Sequence, residues 1–307
     1  MPNFLITLIG ATAIGKTALS IKLAKHFNTE IISSDSRQFY KEMTIGTAVP
    51  SLEELRAVKH HFIQNRSIFE DYSVGQFEKD ALKILKGLFF KNKVVIMVGG
   101  SGLYTNSVID GLDCFPEVSS QIRTNLNKQI ENGEIAILQK KLKVLDPESY
   151  NTLEIENPHR LIRALEICIG TGKTYSEYKN KPKEPRNFIP IKIGLSAPRE
   201  IMYKRINQRV DIMIQEGILE EAKILHKHKE LNALQTVGYR ELFNYFDGNY
   251  TLEFAIEEIK KNTRRFAKRQ VTWNKKDETI NWFDFQDDPE EIINKIEKLM
   301  EFQNINN

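Results

Sequence analysis

A chain of 307 residues, 41% hydrophobic and 28% charged, with only 16 glycines and 10 prolines, has the composition of a folded globular protein. It is long enough to bury a core without staples, which excludes a disulfide mini-protein, and its composition is not that of a disordered or collagenous chain. The 44 Lys and Arg against 41 Asp and Glu leave a net charge of +3, too small in itself to indicate a nucleic-acid partner.

In chain order, short runs rich in Ile and Val at Asn3–Ile9, Glu30–Ser34, Lys93–Val98, Pro190–Leu195 and Thr279–Phe283 alternate with stretches of helical period. That alternation predicts an α/β fold, a parallel sheet wrapped by helices. Ser73-Val-Gly-Gln76 is a capping box, and Asp146-Pro147 and Asp288-Pro289 each place an N-cap acid before a first-turn proline. Between 113 and 189 the pattern is helical throughout. The expected organisation is a core of residues 1–112 and 190–307 interrupted by a helical insertion, 113–189, whose proline-broken, basic end Lys179–Asn187 returns to the sheet. No apolar stretch approaches the roughly 20 residues that span a bilayer. The apolar start Phe4–Ala11 lacks a basic segment before it, so neither a membrane anchor nor a signal sequence is expected, and the cytoplasm is the expected compartment. Cys114 and Cys168 have no ligand or disulfide spacing and are expected to be small buried apolar residues. The His60-His61 and His226/His228 pairs, without acid or Cys neighbours at ligand spacing, read as surface histidines.

Gly10-Ala11-Thr12-Ala13-Ile14-Gly15-Lys16-Thr17 fits G-x-x-x-x-G-K-[ST] between a buried strand and an amphipathic helix. Backbone N–H groups of such a loop cradle a diphosphate, Lys16 neutralises it, and the Thr17 hydroxyl can ligate Mg²⁺. Gly170-Thr-Gly172-Lys173-Thr174 does not repeat the motif, because a helical segment precedes it; it reads as a glycine helix stop. The strand Val94–Val98 ends in Gly99-Gly100-Ser101 with no metal-orienting acid, and no guanine-reading Asn-Lys-x-Asp is present, which disfavours a motor or switch.

Asp35 follows the second strand on the edge where open α/β sheets bind ligands. It can act as a base beside bound phosphates, or simply cap a helix. Gly99-Gly100-Ser101-Gly102 permits close backbone approach and offers a hydroxyl, or is an ordinary strand-to-helix turn. From Lys260 to Lys276 there are eight basic residues and no acidic one, interleaved with Phe266 and Trp273. On a helix Lys261, Arg264, Arg265, Lys268 and Arg269 would form one broad positive surface, either for a phosphate backbone or as a solvated face.

Gly10–Thr17, Asp35-Ser-Arg-Gln-Phe-Tyr40, Ile45-Gly-Thr-Ala48, Val98-Gly-Gly-Ser-Gly-Leu-Tyr104, Arg160-Leu-Ile-Arg-Ala-Leu-Glu166, Val237-Gly-Tyr-Arg240 and Lys268-Arg-Gln-Val-Thr-Trp273 together resemble the tRNA dimethylallyltransferases. The resemblance runs in order over nearly the whole chain. It departs at Ala11, where the family usually has Pro, at Ile14, where it has Ser or Gly, and at Ser101, where it has Thr; none of these removes a needed chemical group. The chain lacks the C-terminal Cys/His cluster of eukaryotic relatives, so the resemblance is to the bacterial type.

The resemblance implies that the loop holds the leaving diphosphate of dimethylallyl diphosphate, with Lys16, Thr17 and Mg²⁺ stabilising its charge. Asp35 would take the proton of the attacking adenine N6 amine of a flipped base next to the anticodon, aided by Ser101. It further implies contacts to the tRNA anticodon stem-loop from Asp35, Ser36, Arg37, Gln38 and Ser101, from Arg123, His159, Arg160, Leu161, Ile162 and Arg163 in the insertion, and from Gln235, Thr236, Val237, Gly238, Tyr239 and Arg240. With these go Arg264, Arg265, Lys268 and Arg269. Arg160 and Arg163 read equally well as structural ion-pair residues. A monomer is expected. The alternatives are a small-molecule or nucleoside kinase using the same loop, and a noncatalytic nucleotide-sensing RNA-binding protein.

Overall fold

The computed structural model describes residues 2–306. Among these, six strands form one sheet: β1 (Phe4–Gly10), β2 (Ile31–Ser33), β3 (His60–His61), β4 (Val94–Val98), β5 (Ile189–Ser196) and β6 (Asn281–Asp284). Their spatial order is β3-β2-β4-β1-β5-β6, and every ladder is parallel. All seven residues of β1 are buried, as expected of a central strand covered on both faces. The five expected strands are present. The sixth, β3, has only two residues and no apolar alternation, so no period could reveal it.

The chain divides into two compact units, one of residues up to 110 together with those from 186 onward, the other of residues 111–185. In the first, α1 (Lys16–His26) and α13 (Pro289–Asn306) cover the sheet face formed by Phe4, Ile6, Leu8, Ile96 and Ile193. The helices α3 (Val74–Leu88) and α4 (Gly102–Asp110) cover the face formed by Leu5, Ile32, Val95 and Met97. The capping box at Ser73 starts α3 as its sequence dictates. A short α2 (Leu52–Ala57) precedes β3.

A further helical layer follows β5: α9 (Arg199–Glu216), α10 (Ile218–Leu225), α11 (Tyr239–Phe246) and α12 (Leu252–Asn274). These helices close on a core of Val210, Ile218, Leu234, Tyr239, Phe243 and Ile259.

The second unit packs α5 (Ser120–Glu131), α6 (Ile135–Leu145), α7 (Pro147–Thr152) and α8 (Pro158–Thr171) around Leu126, Leu138, Leu142, Leu161 and Leu165. Gly172, at φ 70°, ends α8 in the left-handed region, so Gly170–Thr174 is a helix stop. Cys168 is buried here as expected, but Cys114 is exposed, because it lies in irregular chain before α5. Two histidines also differ from expectation: His61 Nε2 lies 2.6 Å from Glu30 and His226 Nε2 lies 2.9 Å from Asp247, carboxylates that only folding brings near.

Asp146 organises the second unit. Fully buried, it accepts hydrogen bonds from the Ser149 N–H and hydroxyl (3.0 and 2.6 Å) and from the Ser176 N–H and hydroxyl (2.8 and 3.0 Å). Against the opposing effect of burial, these bonds hold its carboxyl below the usual aspartate range. Asp146→Ala orphans buried donors, and thermal or urea unfolding should show a loss of about 3 kcal/mol. The stabilisation from its lowered pKa is complete above the unfolded value and is lost as pH falls through the native one.

Candidate active site

The ends of β1, β2 and β4 lie at one level, since Leu8 and Ser33 both pair with Val98. The loop after β1 is therefore flanked by the loops after β2 and β4. Gly10 (φ 145°) and Gly15 (φ 110°) bend the first loop, and Ala13 is held at φ 63°, costly for a residue with a Cβ. A guanidinium holds that conformation: Arg205 Nε of α9 donates to the Ala13 carbonyl at 2.8 Å. One turn on, Arg209 donates to the Thr12 hydroxyl at 3.1 Å. Gln270 of α12 accepts the Thr12 N–H (2.9 Å) and donates to the Gly100 carbonyl (2.8 Å), tying the phosphate loop to the β4 exit. The Thr12 amide is thus already satisfied, and the remaining loop amides are left to form a cradle.

Lys16 Nζ donates to the Gly10 and Ala11 carbonyls at 3.1 and 2.7 Å. Loss of water around it lowers its pKa from 10.5 to about 8; Asp35 opposes that shift and Arg209 adds to it. Burial likewise draws Arg209 below its usual range, with Asp35 opposing. Three cations thus face one loop, an arrangement that a bound polyanion would relieve.

Asp35 is not a helix cap, because residues 36–39 form turns. Its Oδ1 accepts the Arg37 N–H at 3.0 Å in a local turn, and its own N–H donates to Ser33 Oγ at 3.3 Å. Ser101 lies within hydrogen-bond reach of Ser36, 3.0 Å between hydroxyls, and accepts the Ser36 N–H at 3.3 Å, so it fixes the Asp35 loop. The glycines after β4 are required by close approach: a Cβ at Gly99 would strike Ser34, one at Gly100 would lie 2.5 Å from Gln270, and one at Gly102 2.6 Å from Trp273. Gln38 donates to the Thr47 and Ala48 carbonyls (3.3 and 2.9 Å), while Arg37 donates to the Asn232 and Ala233 carbonyls (2.9 and 3.0 Å).

Two cavities meet here. The first, about 710 Å³, is lined by the phosphate loop, Ser33, Asp35, Gln38, residues 44–49, Arg205 and Arg209. The second, about 560 Å³, is lined by Asp35, Ser36, Arg37, Ser101, Gln235, Thr236, Val237, Gly238, Arg240, Phe266, Arg269, Gln270 and Trp273. Thr12, Asp35, Thr47, Ala48, Gly100, Arg209 and Met213 line both. A carboxylate therefore stands where a polyanion site opens onto a second cleft floored by aromatic and polar groups.

Comparison with known proteins agrees with this geometry. The IPP transferase family model matches residues 38–277. A protein of Christiangramia forsetii named tRNA dimethylallyltransferase is 62% identical over 97% of this chain and 98% of its own length. The chain belongs to the IPP transferase family. Among solved structures, the tRNA isopentenylpyrophosphate transferase of Bacillus halodurans is 35% identical with a TM-score of 0.71, covering 97% of this chain and 95% of its own. A eukaryotic dimethylallyltransferase acting on tRNA is 28% identical with a TM-score of 0.78, covering 93% of this chain and 74% of its own.

Within the basic stretch of this IPP transferase some side chains are engaged by neighbours and others are exposed. Lys260 pairs with Asp211 and Glu257, and Lys261 with Glu258. Arg264 donates to Asn207 Oδ1 at 2.7 Å and lies over the Tyr203 ring. Arg265, Lys268 and Arg269 are exposed; Lys268 lines a separate pocket with Tyr203 and Val271, while Arg269 lies over Phe266 in the second cavity. At 100° per residue Lys261, Arg264, Arg265, Lys268 and Arg269 lie within an arc of about 140° on one side of α12, even though Lys268 and Arg269 line different pockets.

Among the other expected contact residues some side chains are packed and others are exposed. Tyr239 is fully buried under the 44–48 segment, and Gln235 donates to the Lys229 carbonyl. In the second unit the side chains of Leu161 and Ile162 are in the core, unavailable to a ligand. Arg123 and Arg163 both pair with the buried Glu166, Arg160 pairs with Glu154, and His159 is exposed at the start of α8. Missing from the sequence reading were Arg205, Arg209 and Gln270. The i, i+4 arginine pair on α9 was the available signal for the first two, and the resemblance block Lys268–Trp273, which contains Gln270, was the signal for the third.

Because the Lys16 amine is protonated below about pH 8 and neutral above, affinity for inorganic diphosphate should fall as pH rises through about 8, approaching tenfold per unit. Calorimetric titration from pH 7 to 9.5 checks this, with Lys16→Ala expected to show weak binding without that pH dependence.

Proposed function

We propose that this chain transfers a dimethylallyl group from dimethylallyl diphosphate to the exocyclic N6 amine of the adenosine next to the anticodon of a tRNA. The observation that carries this reading is Asp35 lining both the polyanion cavity and the aromatic-floored cleft. The diphosphate sits on the loop amides with Lys16, Arg205 and Arg209 around it. The adenine, turned out of its stack, approaches from the cleft past Ser36, Ser101 and Trp273. Nitrogen bonds to the allylic carbon as the carbon–oxygen bond breaks; the electron pair departs with diphosphate, and the amine proton goes to Asp35.

Thr17 and Asp35 offer hard oxygen donors in the donor cavity, the kind magnesium prefers. Among the described residues no cluster of three or more His, Cys, Asp or Glu could hold an ion alone. The residues therefore fit a Mg²⁺ shared with the diphosphate and held by Thr17; when bound it would neutralise charge on the leaving group. A kinase reading lacks support for the cleft beside Asp35, which is larger and more aromatic than a small hydroxyl substrate needs.

The test is incubation with Mg²⁺, unmodified tRNA and either dimethylallyl diphosphate or ATP, followed by nuclease digestion and mass analysis. A prenylated adenosine is expected with the first donor; phosphate transfer from ATP without it would refute the reading. Asp35→Asn should retain tRNA affinity and lose turnover by about 10²- to 10⁴-fold. Substituting Arg265 and Arg269 together by Ala should weaken tRNA binding and lower its salt slope by about two, with a smaller effect for Arg264→Ala, already engaged by Asn207. Titrations at several salt concentrations measure both.

A further inference from the structure

Away from the reacting groups, one carboxylate gathers an unusual set of donors. Glu221 of α10 accepts hydrogen bonds from three successive backbone N–H groups, those of Thr44 (2.9 Å), Ile45 (2.8 Å) and Gly46 (2.9 Å), and from the Tyr239 hydroxyl (2.6 Å). Three consecutive amides converging on one point form a nest suited to an anion. Here a side chain distant in sequence supplies the anion.

Tyr239 is fully buried, and its ring lies so close to Gly46 that a Cβ there would be 2.6 Å from ring carbons. Burial and the adjacent Glu221 push its pKa up, so it stays a neutral donor. The pair therefore joins two segments, 44–48 and 235–240. Both line the acceptor-side cleft, and Thr47 and Ala48 line the donor cavity as well. The carbonyls of Thr47 and Ala48 in turn hold Gln38, whose Oε1 accepts from the Ser33 hydroxyl at 3.3 Å; Ser33 Oγ also receives the Asp35 N–H. A continuous hydrogen-bonded path thus runs from Glu221 through the partition between the cavities to the loop of the reacting carboxylate.

An allylic carbon losing diphosphate is open to any nucleophile in reach, water included. Water capture would form a carbon–oxygen bond as the diphosphate leaves with its electron pair, the proton passing to solvent, and would yield a five-carbon allylic alcohol. We propose that Glu221 is a positioning residue that, through Tyr239 and segment 44–48, keeps the shared wall closed to water, so that the allylic group reaches the amine instead. This inference rests on the prenyl-transfer reading above.

Glu221→Gln preserves shape but turns one acceptor into a donor facing the N–H groups. In reactions with dimethylallyl diphosphate, Mg²⁺ and unmodified tRNA, diphosphate released and prenylated adenosine formed are quantified together. Wild type should release about one diphosphate per adenosine modified. Glu221→Gln should raise that ratio severalfold and lower kcat for transfer about tenfold, with KM for tRNA little changed. Hydrogen exchange at the amides of Thr44, Ile45 and Gly46 should quicken in the same variant. Tyr239→Phe, which keeps the ring, should move the ratio in the same direction by less, and it carries the comparison if Glu221→Gln does not fold. A ratio that stays at one while those amides exchange faster would overturn the proposal, as would unchanged exchange. Failure of the wild type to prenylate any tRNA would instead remove the prenyl-transfer reading beneath it.

Discussion

The site depends on one carboxamide. Gln270, near the C-terminal end of a 23-residue helix, holds the amide of Thr12 and the carbonyl of Gly100 at once. Parallel strands bring their ends to a common edge but leave the loops beyond them free to diverge. A side chain carrying both a donor and an acceptor can span two such loops without charge, and so without adding to the electrostatics of an already crowded site. The glycine at 100 follows from that bridge, because a Cβ there would lie 2.5 Å from the Gln270 nitrogen. The same helix carries Phe266, Arg269 and Trp273 into the cleft, so the element that floors the acceptor side also sets the shape of the phosphate loop.

Around that geometry the charges are deliberately unbalanced. Lys16, Arg205 and Arg209 face one loop, with Asp35 the carboxylate whose field opposes the lowering of both the Lys16 and the Arg209 pKa. Holding cations together away from water costs stability, and the depressed pKa of Lys16 expresses that cost. A ligand bringing several negative charges would remove it, and would do so most fully when its charge is greatest. In the proposed reaction that moment is the departure of diphosphate, so ground-state strain among the cations becomes stabilisation of the leaving group.

The fold and the phosphate loop were legible in the sequence because both are local: a buried strand, a glycine-bracketed loop and an amphipathic helix lie within one short stretch. Asp35 was legible as a carboxylate at a strand end, though only the turn after it excluded a helix cap. What remained hidden acts over long range. Gln270 reaches Thr12 from 258 positions away, and Arg205 reaches Ala13 from 192. A local pattern can single out such residues, as the arginine pair on α9 and the block Lys268–Trp273 do, but it cannot name the partner each one reaches. The basic stretch was legible as charge on one helix face, but which of its side chains are engaged was not, because that depends on partners such as Asn207 from another helix. Leu161, Ile162 and Tyr239 illustrate the converse. Their neighbours in sequence suit a ligand, yet their own side chains support the fold beneath it.

The end of β4 separates this site from nucleotide hydrolases on steric grounds as well as by sequence. An acid at position 99 would drive its Cβ into Ser34, which itself lies 2.9 Å from Thr105 in a buried hydroxyl pair, and an acid at 100 would displace Gln270. Restoring a metal-orienting carboxylate would therefore dismantle the contacts that shape the phosphate loop. Among the described residues the carboxylate lining both cavities is Asp35, and it is placed beside the acceptor cleft. A loop that grips a diphosphate, combined with a base directed at a separate nucleophile, suits chemistry in which the diphosphate leaves and the group attached to it moves.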